Sequence, residues 1–88
     1  MTPKTTNMKY IRTLNQLKEL SGDCLLRVVF HLKGGLNSSK DIEYWDGKWY
    51  IHHYSTGYVE KFKDDDELRE GYPLLFEAMS KNALTHYR

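Results

Sequence analysis

Cysteine, long apolar runs and an excess of charge of either sign are what this chain has least of. A single cysteine, Cys24, in 88 residues excludes an internal disulfide framework and a cysteine-rich zinc module, and it points to a reducing compartment. No apolar run exceeds three residues, as at Val28 to Phe30, which is too short for a membrane-spanning helix or for the apolar stretch of a secretory leader. The expectation is a cytoplasmic protein with no membrane association. Thirteen Lys and Arg against twelve Asp and Glu leave a formal charge of +1, so the overall basic footprint of a duplex binder is missing.

The spacings that carry chemistry are missing as well. No phosphate loop, nucleophile elbow or H-x-x-x-H pair occurs, and the acidic run Asp64 to Glu67 lacks the downstream Gly and Glu of a calcium loop. His52 and His53 are adjacent and point to opposite sides of any strand, while His31, His52 and Glu43 could share one side without the spacing of a metal site. Cys24 reads as a small buried hydrophobe, and Ser38, Ser39 and Ser55 fall in turns. No catalytic residue, metal or cofactor is therefore expected. The best that could be built is an acid–base set from His31, Glu43 and His52 in a domain too thin for a pocket.

What is present suffices for one small core, since 40% of the residues are hydrophobic. Residues 1–7 offer only Met1 as an apolar group and read as a loose tail, leaving one domain over residues 8–88. Thr13 and Gln16 have capping-box spacing, and Leu14, Leu17 and Leu20 form the stripe of a two-turn helix stopped by Ser21-Gly22-Asp23. Cys24 to Lys33 alternates as a strand, with Leu26, Val28 and Phe30 inward and Leu25, Arg27, Val29 and His31 outward. Residues 34–39 read as a turn-rich connection. Lys40 to Trp45 and Trp49 to Tyr54 flank Asp46-Gly47, a dipeptide suited to the left-handed backbone of a type I′ hairpin. Ser55-Thr56-Gly57 leads into Tyr58 to Phe62. A helix follows at the acids 64–67, Pro73 opens another, Asn82 ends it, and residues 85–88 are either a frayed end or a short edge strand.

These elements specify an α+β domain: a four-stranded antiparallel meander with one N-terminal helix and two short C-terminal helices packed on one face. The opposite face would display Arg27, His31, Glu43, Trp45, Tyr50, His52 and Tyr54, with Lys61 beside them. Interleaved aromatics and bases of this kind fit three uses: cross-strand pairs such as Trp45 with Tyr50 or Tyr54, a protein contact, or a platform for single-stranded nucleic acid. Asp64, Asp65, Asp66 and Glu67 form a secondary acidic patch, most simply complementing a helix dipole. Up to Lys63 there are ten bases against six acids, and beyond it three against six, so the chain is a weak charge dipole.

By exclusion the sequence reads as a small non-catalytic module that binds a protein partner through the aromatic face, with a bacteriophage-type inhibitor of a host complex as one concrete form. A homodimer is the simplest shield for such a face. A single-stranded nucleic-acid binder is the alternative, and a small metal-dependent or acid–base enzyme the third.

Overall fold

A computed structural model describes residues 8–22 and 25–87. Six strands, three α-helices and one turn of 3-10 helix follow in the order β1 (Met8–Tyr10), α1 (Leu14–Ser21), β2 (Leu26–His31), 3-10 (Lys33–Gly35), β3 (Asn37–Trp45), β4 (Lys48–His53), β5 (Tyr58–Phe62), α2 (Asp65–Gly71), α3 (Pro73–Ser80) and β6 (Leu84–Tyr87). All strands join one antiparallel sheet in the order β1-β6-β2-β3-β4-β5.

The class is α+β as expected, but the sheet has six strands where four were predicted. The meander β2 to β5 is present. Two further strands come from the ends of the chain, and residues 84–87 form neither a frayed end nor an edge: β6 lies inside the sheet, between β1 and β2. Leu84, Thr85 and His86 are buried there. The β2 strand is shorter than its alternation suggested, because Lys33 enters the 3-10 turn, and β3 begins at Asn37, inside the stretch read as a connection. The tail 1–7, Asp23, Cys24 and Arg88 lie outside the described residues.

Local chemistry explains where the elements start and stop. Gln16 N–H donates to the Thr13 hydroxyl at 3.1 Å and the Gln16 side chain accepts from Thr13 N–H, completing the capping box. Asp46 and Gly47 take φ of 54° and 77°, the left-handed pair a type I′ turn requires. Asn82, at φ 58°, ends α3, and Ala83 N–H then donates to Ala78 O at 2.8 Å.

Leu26, Val28 and Phe30 of β2, Ile42 of β3, Trp49 and Ile51 of β4 and Phe62 of β5 share one side of the sheet, here the core face. Leu17 of α1, Leu68 of α2 and Leu75, Ala78 and Met79 of α3 join them in one cluster. Trp49 is its largest member and is fully buried.

Candidate functional site

The register of the strands fixes what the other side, here the open face, displays. Arg27 stands opposite Asp41, Asp41 opposite His52 and His52 opposite Val59, giving one row across β2 to β5. The next row is Glu43, Tyr50 and Lys61, and the last is Trp45 and Lys48 beside the Asp46-Gly47 turn. In the opposite direction Val29 pairs with Thr85, and Thr85 with Tyr10. Val29 and Thr85 are buried and separate the exposed Tyr10 on β1 from the accessible stretch that spans β2 to β5.

Trp45 is 63% exposed and Tyr54 is 50% exposed. Tyr50 and His52 are half-buried, with Trp45, Tyr54 and Arg27 standing out around them. The alternation of β3 and β4 therefore assigned these side chains to the accessible side. Trp45, Tyr50 and Tyr54 do not form the expected aromatic cross-strand pairs, however. Trp45 faces Lys48, Tyr50 sits between Glu43 and Lys61, and the ring pairs among the described residues (Tyr44 with Trp49, Phe30 with Tyr72, His53 with Tyr58) involve none of the three. Trp45, opposite the first residue of β4, and Tyr54, just past its last, stand roughly 20 Å apart at about 3.3 Å per residue.

Between those ends the face is polar. The Arg27 guanidinium donates to Asp41 at 3.3 Å and lies 4.6 Å from the centre of the Tyr54 ring. Its hydrogen bond to Asp41, then the nearby Tyr54, raises the Arg27 pKa further. Burial first, and then the Asp41 carboxylate, push the Tyr54 hydroxyl above its ordinary value. His52 Nε2 is 3.6 Å from Glu43 Oε1 and is itself buried without a hydrogen bond. Beside Tyr54 a hollow of about 250 Å³ opens at the β4–β5 turn, lined by Asp41, His52, Tyr58 and Val59 among others.

His31 does not join this group. It lies four residues along β2 from Arg27, about 13 Å away, and its Nε2 is 2.8 Å from the Thr85 hydroxyl. Three open-face residues escaped the sequence reading as site members: Asp41, which needed the register, Leu25, which was assigned outward without a role, and Val59, whose strand is too short to phase alone.

The acids 64–67 are largely used within the fold. Asp64 caps α2 by accepting from Glu67 N–H at 2.8 Å, and Glu67 in turn accepts from Lys63 N–H at 2.7 Å. Asp65 accepts from Trp49 Nε1 at 2.9 Å and from Lys18 Nζ at 2.8 Å. Asp64, Asp65 and Asp66 border a shallow, open hollow of about 380 Å³ that Lys18, Tyr44 and Gly47 also line. Among the described residues no group of three His, Cys, Asp or Glu is placed to hold a metal ion, and no helix is long and apolar enough to cross a membrane. Compared with family models, with curated proteins and with solved structures, the chain matches none.

Proposed function

We propose that this chain is a non-catalytic protein-binding module whose contact surface is the open face between β2 and β5. With α1, α2 and α3 all lending their buried side chains to the core face, the three helices are read as one layer and the open face as its uncovered counterpart. One observation carries the proposal: of nine large hydrophobic side chains that stay exposed among the described residues, Leu25, Trp45, Tyr54 and Val59 belong to this stretch of the sheet face. Scattered exposed apolar residues are ordinary; four on one stretch of face, framing the Arg27–Asp41 ion pair and the polar groups of Glu43 and His52, resemble the apolar anchors and polar fill of an interface.

Arg27 and Tyr54 are the residue types that most often carry interface energy, and their mutual contact pre-arranges both. The charge pattern favours protein over nucleic acid. Asp41 and Glu43 put carboxylates in the middle of the face, where a phosphate backbone would run, and the wide separation of Trp45 from Tyr54 breaks up a stacking platform. A second copy of the chain is one candidate partner, because two-fold pairing needs only one self-complementary patch.

Tagged wild-type protein and the Trp45→Ala and Tyr54→Ala variants, exposed to lysate of the native cell, test this. A partner captured by wild type and lost from both variants, whose melting temperatures stay unchanged, is the expected result. Identical capture by all three refutes the assignment, and salt-sensitive retention of single-stranded oligonucleotide would favour the nucleic-acid alternative.

A further inference from the structure

A second apolar surface lies where β2 ends. The chain leaves His31, turns through Leu32 and the 3-10 residues Lys33–Gly35, and enters β3 after Leu36. Gly34 and Gly35 both have φ of 78°, a backbone other residues adopt only with strain, and Leu32 N–H donates to Leu36 O at 2.8 Å, closing the turn. This tight loop presents its leucines to solvent instead of burying them: Leu32 is 40% exposed and Leu36 67%. Leu74, in the first turn of α3, is also 40% exposed. Leucine is among the residues most often fully buried, and the exposed Leu32 and Leu74 meet at one hollow, an apolar spot that asks for cover.

The patch has depth and a charge. Leu32, Leu74, Ala78 and Ala83 wall a hollow of about 260 Å³, with Lys33 and Lys81 at its rim. Its volume is below the range of ordinary small-molecule pockets and suits one or two large side chains of a macromolecule. The other titratable groups facing it are already engaged. Glu77 accepts from Lys81 Nζ at 2.8 Å, and His31 Nε2 is held by the Thr85 hydroxyl. Lys33 makes no ion pair or hydrogen bond among the described residues. The groove thus combines an apolar floor with one uncompensated cation.

We infer that the groove between the Leu32–Leu36 loop and α3 docks an acidic amphipathic segment of a partner protein, with an apolar side chain in the hollow and a carboxylate on Lys33. The mode is that of an amphipathic helix lying in a groove, with the acidic flank setting specificity. This surface meets that side of the sheet only at His31, which lies apart from the Arg27–Tyr54 group, and the inference stands apart from the function proposed for that group.

The test uses the isotope-labelled full chain and a synthetic amphipathic peptide with leucines along one face flanked by glutamates, beside a counterpart carrying lysine at each glutamate position. In NMR titrations the glutamate peptide should shift amides within residues 32–36 and 74–83 and bind about tenfold more tightly than the lysine peptide. Leu32→Asp and Leu74→Asp, both at exposed positions, should each weaken binding about tenfold with thermal melts unchanged. Lys33→Glu should reverse the preference between the two peptides. Trp45→Ala should leave binding intact, which separates this groove from the open face. No binding at millimolar peptide, shifts mapping elsewhere, or a preference that Lys33→Glu does not reverse overturns the inference.

Discussion

The Asp65 carboxylate takes the indole N–H of Trp49 on one oxygen and the Lys18 ammonium on the other, so a single side chain ties α2 to β4 and to α1. Burial pulls its pKa upward, but the hydrogen bonds from Lys18 and Trp49 and the Lys18 charge outweigh that and hold it below the ordinary carboxylate value. A carboxyl with a lowered folded pKa contributes stability that is present above its unfolded value and lost as the pH falls through the folded one, so this contribution should fade below about pH 4. Asp65→Ala leaves the donor of a fully buried tryptophan unpaired and should cost about 1–3 kcal/mol in urea unfolding at neutral pH. Tyr72 behaves in the opposite way. Burial first, and then the Glu60 carboxylate, push its hydroxyl up to about 12, and that hydroxyl is buried without a partner. The unfolded chain loses this proton near pH 10 and the folded chain does not, so stability should fall from pH 10 to 12, by on the order of 2 kcal/mol at the upper end. Tyr72→Phe should abolish that alkaline loss and be neutral or stabilising at pH 7, as unfolding followed against pH would show.

The elements set by neighbouring residues were legible in the sequence: α1 from Thr13 and Gln16, the β3–β4 hairpin from Asp46-Gly47, α2 from its acids and α3 from Pro73 and Asn82. The two terminal strands were not. Met8–Tyr10 and Leu84–Tyr87 are three and four residues long, too short for alternation to register, and each is a strand only because Lys9 finds His86 on the far side of the sequence and β6 finds β2. The face of the candidate site could be read because β2, β3 and β4 are long enough to phase, whereas its polar contacts, the Arg27–Asp41 ion pair and the approach of His52 to Glu43, depend on register between strands. Gly71 shows the same division between local preference and packing. It ends α2, where alanine is the better helix former by about 1 kcal/mol, yet a Cβ there would stand 2.5 Å from Phe62 Cε1. Gly71→Ala should therefore destabilise, by about 1–3 kcal/mol, as α2 is pushed off the Phe62 ring of β5. Equal or greater stability in thermal unfolding would mean that Phe62 yields freely.

At the scale of the molecule the buried cluster takes one side of the sheet and the proposed contact surface, with Trp45, Tyr54, Leu25 and Val59, is the other, so the two tryptophans report on the two separately. Trp49 is fully buried in the core, and Trp45 stands at the tip of the open face. Acrylamide quenching therefore measures the central claim directly. In the free, dilute protein one tryptophan population should be quenched readily and one scarcely at all, and Trp45→Phe should remove only the accessible population. When the captured partner is added, or the protein is concentrated if the partner is a second copy, the accessible population should become protected while Trp49 is unchanged. A Trp45 that stays equally quenchable in the assembled state would contradict the assignment of the open face as the binding surface.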